Sequence, residues 1–179
     1  MSKEVTAEND HRNVTDAFRG MSVAEIKKSL DARRHPLHIA VENLERDFNM
    51  GTIVRNANAF NIEAVHVVGR RQWNKRGAMA TDLYMNVYYH PTIADFIKAM
   101  AGRHIVGIDN IDGSVPLHGF SFPEPVVLVF GSEGPGLSEE MARACEAIVA
   151  IEQFGSTRSV NVGVASGIAM YAWLQQNVM

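Results

Sequence analysis

Three short segments of this chain combine residue types that could hold a polar ligand and act on it. The first, FNMGTIVRNANAF, places Asn49 six residues before Arg55. An amide and a guanidinium less than two helical turns apart could converge on one pocket. Asn49 could equally be a helix cap and Arg55 a surface arginine. The apolar positions of the segment recur at helical spacing and leave Arg55 off their stripe; they are Ile53, Val54, Ala57 and Phe60.

The second segment, VFGSEGPGLS, ends the most hydrophobic strand and is rich in glycine. Gly131, Gly134 and Gly136 permit positive φ angles and a close approach of the backbone to a ligand, and Glu133 lies among them. The segment lacks the Gly-Lys-Ser/Thr ending of a phosphate-binding P-loop, and its spacing does not fit a dinucleotide fingerprint. It is therefore either a ligand loop or a simple turn.

The third segment, GSTRSVNV, gathers a hydroxyl, a cation and an amide at positions 158–161, where the last helix is predicted to begin. Ser159 could cap that helix by accepting a hydrogen bond from a backbone N–H of the first turn. The N–H groups at Ser159 and Asn161 could instead hold an anionic or polar ligand.

The elements that must position these segments alternate between strand and helix. Strands are predicted at residues 37–42, 64–69, 86–90, 104–109, 125–130 and 149–151, and helices at 14–30, 51–60, 92–101, 138–148 and 160–176. This order predicts an α/β fold with a mainly parallel sheet and helices on both faces. Ligands of such folds collect at the loops after the strand ends, where the three segments lie.

The composition narrows the class of protein. With 179 residues, 46% of them hydrophobic, the chain suits one compact domain with a sizeable core. No apolar run is long enough to span a membrane and the amino terminus lacks the apolar core of a secretory signal, so we expect a cytoplasmic protein. Cys145 is the single cysteine and the histidines are scattered, which predicts no metal site. A net charge of -3 argues against indiscriminate coating of nucleic acid and leaves room for a local basic patch.

Taken together, the three segments resemble the motifs of SpoU/TrmH-type RNA 2'-O-ribose methyltransferases of the SPOUT class. The first motif, N-x-G-x-x-x-R followed by an aromatic residue, is matched by Asn49, Gly51, Arg55 and Phe60. The second, G-x-E-x-x-G-L, is matched by Gly131, Glu133, Gly136 and Leu137. The third is matched by Ser159, Val160 and Asn161. The resemblance covers residues 37–176, and it departs from the family in the run QFG after Ile151 and in Gly163, where many members have serine.

The resemblance implies more than the residue pattern does. It implies a SPOUT-type fold with a carboxy-terminal trefoil knot, S-adenosylmethionine as the cofactor, and a homodimer. It also implies that the cofactor is held by main-chain groups of Ile108, Gly131, Ile151 and Val160. The small residues of the last helix fit an element packed on both sides, either within one chain or against a second copy.

The implied reaction is the attack of a ribose 2'-hydroxyl on a methyl group, which requires two positioned partners and the departure of a proton. The resemblance assigns the catalytic set Arg55, Asn49, Glu133, Ser159 and Asn161. A guanidinium pKa above about 12 makes arginine a costly base. Arg55 could therefore accept the proton, or it could clamp an RNA phosphate and stabilise the developing alkoxide.

An RNA substrate also needs a docking surface. The segment GRRQWNKRG surrounds a tryptophan with cations, which suits phosphate contacts and base stacking, although a solvated loop would look the same. We also predict an amino-terminal helical extension at 1–36, which contains further basic residues and precedes the methyltransferase domain at 37–179. Together, the extension and the tryptophan segment form the predicted RNA surface, which comprises Lys27, Lys28, Arg33, Arg34, Arg70, Arg71, Trp73, Lys75 and Arg76.

The RNA class stays open between transfer RNA and ribosomal RNA. The form GSTRSVNV is similar to that of members acting on a transfer-RNA guanosine, which favours that substrate. Two other functions compete with catalysis: a nucleotide-binding α/β module, and an RNA-binding protein on a methyltransferase fold that has lost its activity. The presence of every polar residue of the three motifs argues against both.

Overall fold

The computed structural model of the protein describes residues 6–43, 49–132 and 134–179. Within these ranges the strands are His35–Asn43 (β1), Ile62–Gly69 (β2), Val87–His90 (β3), His104–Ile108 (β4), Val115–Pro116 (β5), Val126–Phe130 (β6) and Ala147–Ala150 (β7). The α-helices are Val23–Asp31 (α1), Met50–Ala59 (α2), Ile93–Ala99 (α3), Glu139–Ala144 (α4) and Val162–Asn177 (α5). Short 3-10 turns cover Asp16–Phe18, Arg76–Ala78 and Thr81–Leu83.

The strands form one parallel sheet in the order β3-β2-β1-β6-β4-β7-β5. All five residues of β6 are buried, as expected for a central parallel strand that is covered on both faces. Because β1, β6 and β4 are parallel neighbours, their carboxyl ends lie at the same edge of the sheet. The loops that carry the three segments therefore converge there.

Helices cover both faces of the sheet. On one face, α2 and α5 enclose the larger core, to which α5 contributes Met170 and Trp173. On the other face, α3 and α4 pack Phe96 and Met141 against Val127 and other sheet residues. The predicted α/β fold with a mainly parallel sheet is confirmed. The trefoil knot stays a prediction, as does the domain boundary at residue 36.

Helix α2 follows the prediction closely. Ile53, Val54 and Ala57 of its apolar stripe are fully buried, whereas Arg55 is exposed. Gly51 lies at the start of the helix, where a Cβ atom would stand 2.6 Å from the backbone nitrogen of Ala78. The glycine of the first motif therefore permits α2 to pack directly against the 3-10 turn Arg76–Ala78.

Two predicted helices have different bounds in the structure, and one strand was not predicted. The helix expected at 14–30 is interrupted by Gly20, whose φ of +78° no helix permits, and α1 begins only after the capping box of Ser22 and Glu25. The helix expected at 138–148 ends at Ala144, because the following residues pair with β4 as β7. Strand β5 is two residues long and has no periodicity that a sequence pattern could show.

A row of histidines crosses the other half of the sheet. His38 on β1 and His66 on β2 join Nδ1 to Nε2 at 2.9 Å, and His66 Nδ1 lies 2.8 Å from Nε2 of His90 on β3. Phe96 of α3 packs edge-on against His66 and His90. Burial, and then the proximity of His38 and His90, lowers the pKa of His66 to about 3. We call these three side chains the histidine row.

The described residues contain no helix long and apolar enough to cross a membrane. They also contain no group of three or more histidine, cysteine or acidic side chains placed to hold a metal ion. The histidines of the row bond to one another instead, ring nitrogen to ring nitrogen.

Candidate active site

A cavity of about 290 Å³ opens at the carboxyl edge of the sheet, between the ends of β4, β6 and β7 and the start of α5. Its walls come from three stretches of chain: residues 108–110 after β4, residues 131, 132, 134 and 136 after β6, and residues between 151 and 165. The four residues assigned to the cofactor all line it, namely Ile108, Gly131, Ile151 and Val160. Ser159 and Asn161 of the third motif line it as well. Asn161 also bonds to Asn49, 112 positions earlier in the chain, so the first motif reaches the same site through this contact.

The loop after β6 folds back on itself. Ser132 and Gly136 exchange two backbone hydrogen bonds of 3.1 and 3.0 Å. A Cβ atom on Gly131 would stand 2.0 Å from the carbonyl carbon of Gly136, closer than any real side chain allows. The first glycine of the motif is therefore required by the tight turn, and it keeps the backbone of this loop exposed to the cavity.

Two buried polar atoms along the cavity lack partners among the described residues. They are Ser132 Oγ and Gln153 Oε1, and both residues line the cavity wall. Buried polar atoms in folded proteins are nearly always hydrogen-bonded, so an unpartnered buried atom marks a place where a ligand or a water molecule completes the hydrogen bonding. The cavity therefore fits a ligand that carries hydrogen-bonding groups.

Asn161 joins the first motif to the third. Its Oδ1 accepts hydrogen bonds from the backbone N–H groups of Gly163 and Val164 and so caps α5. Because Oδ1 is used in this way, Nδ2 points outward and donates to Asn49 Oδ1 over 2.9 Å. The prediction that Ser159 caps the helix is wrong, since Ser159 is exposed and lies two residues before the cap.

Asn49 is not a helix cap either. It is buried, its backbone has helical dihedral angles, and its side chain makes no capping bond at α2. About two turns further along the chain, Asn56 of α2 donates to the carbonyl oxygen of Gly163 and to Ser166 Oγ on α5, over 2.9 and 3.1 Å. Asn49, directly before α2, and Asn56 within it thus fix the helix against the start of α5.

Gly163, where many members of the resembled family have serine, lies at this contact between the two helices. A Cβ atom at this position would stand 2.9 Å from Thr52 Cγ2 and 3.0 Å from Asn161 Oδ1. Thr52 occupies the space that a serine side chain would need. The departure from the family pattern is therefore matched by the neighbouring residue on α2 and leaves the cap intact.

Of the two remaining catalytic residues, Arg55 and Glu133, the structure describes only Arg55. Arg55 is exposed on α2 and makes no hydrogen bond or ion pair within 6–43, 49–132 and 134–179. Its guanidinium is therefore available to an incoming substrate. Glu133 lies outside the described residues, and its assigned role stays a prediction.

Three polar residues of the site escaped the sequence analysis. Asn110 Nδ2 donates to the carbonyl oxygen of Arg158 over 3.1 Å and ties the β4 loop to the third segment. Asp109 and Glu42 accept hydrogen bonds from the end of the glycine-rich loop. Asp109 and Asn110 could have been noticed as polar residues at a strand end, whereas no signal marks Glu42, because its partner lies 96 residues away.

Comparison with known sequences identifies the family. A sequence model of the SpoU rRNA Methylase family matches residues 36–171, most of the chain. The chain belongs to this family. A protein of Mycolicibacterium vanbaalenii named "Uncharacterized tRNA/rRNA methyltransferase" is 33% identical over 141 residues, which is 75% of this chain and 45% of the relative. The tRNA (guanosine(18)-2'-O)-methyltransferase of Escherichia coli is 27% identical over 146 residues, 78% of this chain and 64% of the relative.

The chain thus spans about half the length of the first of these relatives. Among solved structures, the SpoU methyltransferase AviRb of Streptomyces viridochromogenes with AdoMet is 25% identical, with a TM-score of 0.70 over 82% of this chain and 59% of that one. A structure described by the words "2-OH methylation of C/U34 on tRNA" is 28% identical, with a TM-score of 0.70 over 79% and 97% of the two chains. The tRNA-modifying enzyme TrmH/SpoU of A. aeolicus, 22% identical with a TM-score of 0.75 over 86% and 81%, shares the fold.

The basic residues predicted to contact RNA separate into two groups in this family member. Near the amino terminus, Lys28 and Arg33 are exposed. Lys27 is half-buried, hydrogen-bonds to Asn86 and lies 3.8 Å from Asp31, and burial lowers its pKa. The side chain of Arg34 is only 4% exposed and donates to the carbonyl oxygens of Ile62 and Tyr84. Arg34 therefore holds α1 to the sheet, and its buried guanidinium is not accessible to RNA. The prediction that Arg34 belongs to the RNA surface is wrong.

The loop around Trp73 contains exposed arginines and a lysine that is paired within the protein. Arg70, Arg71 and Arg76 are exposed, and the Arg71 guanidinium lies 4.9 Å from the centre of the Tyr89 ring. Lys75 pairs with Asp82 at 2.7 Å and lies over the ring of Trp73, which is half-buried against the core. The hydrogen bond with Asp82 raises the pKa of Lys75. Since Gly51 packs this loop against α2, the exposed arginines lie beside the helix that carries Arg55.

Proposed function

We propose that this protein transfers the methyl group of S-adenosylmethionine to a ribose 2'-hydroxyl of RNA. The observation that carries the proposal is the meeting of the three motifs: the cavity lined by main-chain groups lies beside the hydrogen bond between Asn49 and Asn161. Membership of the SpoU rRNA methylase family supports it, as does the activity for which the Escherichia coli relative is named.

The cavity fits the cofactor by its chemistry. It is near the lower end of small-molecule pockets, roughly 300 to 1,000 Å³, and it combines apolar side chains with free main-chain groups. Ile108, Ile151 and Val160 would hold the cofactor, and the unpartnered Ser132 Oγ and Gln153 Oε1 would hydrogen-bond to it. When bound, S-adenosylmethionine supplies an electrophilic methyl group. A related structure, that of AviRb, contains this cofactor.

Arg55 would act on the RNA side of the reaction. Its guanidinium is exposed, and the helix that bears it is fixed against α5 by Asn56. A side chain that is charged at every accessible pH is suited to clamp a phosphate with two hydrogen bonds and to stabilise the negative charge that develops on the ribose oxygen. Phosphate or water would then accept the proton.

We propose transfer RNA as the substrate class, modified at a guanosine ribose. The Escherichia coli relative named for guanosine 18 of tRNA supports both parts of this choice, and the neighbour described by C/U34 of tRNA supports the RNA class alone. The exposed cations Lys28, Arg33, Arg70, Arg71 and Arg76 would contact the RNA backbone. Each lost phosphate contact should lower the slope of log affinity against log salt by about 0.7 to 0.9.

We also propose that the protein acts as a homodimer in the cytoplasm. The outer face of α5 exposes Val164, Ile168 and Tyr171, which recur at helical spacing, and the side chain of Phe154 is almost fully exposed. A stripe of this kind on a helix already buried on its other side fits a second copy of the chain. Sedimentation of the wild-type protein and of Tyr171→Asp tests this, since only the wild-type protein should dimerise.

The decisive experiment is methyl transfer from labelled S-adenosylmethionine to unmodified transfer RNA and, separately, to unmodified ribosomal RNA. Alkaline digestion then distinguishes ribose methylation, because a 2'-O-methyl group makes the adjacent linkage resistant. We expect labelled resistant dinucleotides from transfer RNA. Cofactor and RNA binding without label in either pool would overturn the catalytic proposal, and label from ribosomal RNA alone would overturn the choice of substrate.

The matched variants are Arg55→Ala and Arg143→Ala, both of which remove an exposed arginine from a helix. Loss of a charge-assisted contact to the transition state typically costs about 3 kcal/mol, so Arg55→Ala should lower kcat by about 100-fold. Arg143→Ala should retain wild-type turnover. Equal activity and equal RNA affinity in Arg55→Ala would contradict the role assigned to Arg55.

A further inference from the structure

Two carboxylates hold the end of the loop that follows β6, and neither belongs to the three motifs. Glu42 lies in β1 near its carboxyl end and is fully buried. Asp109 follows β4 directly and is half-buried at the cavity wall. Because β6 runs between β1 and β4 in the sheet, the two carboxylates flank the strand from which this loop emerges. We call residues 131–138, apart from Glu133, the cofactor loop.

The two carboxylates bind consecutive backbone amides. Asp109 Oδ2 accepts the N–H of Leu137 over 2.8 Å. Glu42 Oε2 accepts the N–H of Ser138 over 2.8 Å, and Glu42 Oε1 accepts the Ser138 hydroxyl over 2.7 Å. The cofactor loop is thus attached to both neighbours of its own strand at the point where it enters α4.

The shape of the loop depends on these contacts. Gly136 has a φ of +74°, and a Cβ atom there would stand 2.4 Å from Asp109 Oδ2. The Asp109 carboxylate therefore occupies the space beside Gly136 that a side chain would fill. Gly136 in turn holds Ser132 and the cavity-lining turn through two backbone hydrogen bonds. A chain of contacts leads from Asp109 to the backbone that faces the cavity.

A buried carboxylate is a costly way to stabilise a core. Glu42 has no ion-pair partner among the described residues, and its hydrogen bonds come from the single residue Ser138. Apolar residues of similar volume often serve stability as well as buried charges do. The carboxylate at this position is better explained by its geometry, because two acceptor oxygens fix both the amide and the hydroxyl of one loop residue.

We propose that Glu42 and Asp109 are positioning residues that hold the cofactor loop in the shape that binds S-adenosylmethionine. They act through Leu137, Ser138 and Gly136 and contribute to cofactor affinity more than to the methyl-transfer step. This inference rests on the proposed function for its cofactor, while the attachment of the loop can be measured without any ligand.

The experiment uses the full chain with Glu42→Gln and Asp109→Asn, which keep side-chain size, remove the charge and replace one of the two acceptor oxygens by an NH2 donor. Glu140→Gln is the matched control, since Glu140 is an exposed carboxylate in the α4 turn next to the loop. Three quantities are measured: hydrogen exchange of peptides covering residues 131–141, the dissociation constant of S-adenosylmethionine by calorimetry, and kcat at saturating cofactor.

We expect each positioning variant to speed exchange in the loop peptides more than in the β1 and β4 peptides, and to raise the cofactor dissociation constant about 10-fold. The value of kcat should change less than about 3-fold, and Glu140→Gln should match the wild-type protein. If Glu42→Gln does not fold, Asp109→Asn provides the same readouts from a less buried site.

Two outcomes would overturn the inference. One is unchanged loop exchange in a folded variant, which would mean that the carboxylates do not hold the loop. The other is a loosened loop with unchanged cofactor affinity, which would make the contacts purely structural. If the wild-type protein itself binds no S-adenosylmethionine, the proposed function fails and the cofactor role fails with it, while hydrogen exchange still decides whether the carboxylates hold the loop.

Discussion

The two halves of the sheet use their buried polar side chains differently. In the half formed by β1, β2 and β3, His38, His66 and His90 bond side chain to side chain across neighbouring strands. At the carboxyl ends of the two strands that flank β6, Glu42 at the end of β1 and Asp109 after β4 bond to the backbone of the cofactor loop. We call this region the cofactor half, although β1 belongs to both halves. In the part of the chain that the structure describes, the histidine row contacts Glu63, Tyr88 and Phe96, whereas Asp109 lies at the cavity wall.

We infer from this difference that the histidine row serves the stability of the fold, whereas the two carboxylates position a loop. A row of side chains that bond to one another links three strands, and its contribution depends on the protonation of every member. A carboxylate that accepts a backbone N–H fixes one conformation of a loop and leaves the remaining groups of that loop to a ligand. We therefore expect changes in the cofactor half to alter binding, and changes in the histidine half to alter stability alone.

The largest effect is expected for Gly131→Ala in the cofactor half. The added methyl group would stand 2.0 Å from the carbonyl carbon of Gly136, so the cofactor loop must open. A backbone clash of this kind costs roughly 3 kcal/mol or more, which corresponds to about a 100-fold weaker binding of S-adenosylmethionine. Calorimetric titration of the folded variant measures the change.

Gly155→Ala is the control for that change, because nothing lies within 4 Å of a Cβ atom at Gly155 and its φ is not positive. It should bind the cofactor as the wild-type protein does. Tight binding by Gly131→Ala would mean that the loop adapts to its ligand, and the contrast between the two halves would disappear.

An effect of intermediate size is expected in the histidine half, where lowering the pH should lower the free energy of unfolding. The folded-state pKa of His66 is lowered from 6.5 to about 3, so the unfolded chain binds more protons between these values. The contribution of His66 to the free energy of unfolding is therefore fully present above pH 6.5 and is lost as the pH falls toward 3. For His66 alone the free energy of unfolding should fall by about 2 kcal/mol between pH 7 and pH 5. Burial also lowers the pKa of His38 and of His90, which adds to the loss.

Urea unfolding at pH 7 and pH 5 measures this dependence in the wild-type protein, in His66→Phe and in His11→Gln. The phenylalanine variant should lose much of the dependence, and His11→Gln, which removes an exposed histidine outside the row, is the control variant. An identical pH dependence in His66→Phe would show that other groups cause it, and the histidine row would then have no part in acid stability.

The sequence predicts the features that depend on local pattern. Periodicity places the buried stripe of α2 and leaves Arg55 exposed. The assignment of Ile108, Gly131, Ile151 and Val160, which line one cavity, comes from the family resemblance and not from local pattern. Alternation of strands and helices predicts the α/β class. Such signals are carried by neighbouring residues, so they survive without knowledge of the tertiary contacts.

The features that escaped prediction depend on distant partners. His38 and His66 are 28 residues apart, and Glu42 and Ser138 are 96 apart, so no spacing rule links them. Arg34 resembles its exposed neighbour Arg33 in sequence, yet carbonyl groups of Ile62 and Tyr84 capture it. Tertiary hydrogen bonds, rather than residue type, decide whether a charged side chain is structural or free to bind.

Asn161 combines both kinds of bond in one side chain and gives the smallest and most selective test. Its Oδ1 caps α5 through two backbone N–H groups, and its Nδ2 donates to Asn49. Asn161→Asp keeps the cap, which a carboxylate satisfies well at a helix amino terminus, and removes the donor. We expect an unchanged melting temperature and a kcat lowered about 10-fold, equivalent to about 1.4 kcal/mol.

Asn49→Asp is the matched control, because a carboxylate at residue 49 still accepts the hydrogen bond from Asn161 Nδ2. It should lose less activity than Asn161→Asp, although both variants add one negative charge to the same contact. Equal losses in the two variants would show that the added charge, and not the missing donor, impairs turnover. In that case the link between the first and third motifs would belong with the histidine row, as a contact that stabilises the fold without serving the reaction.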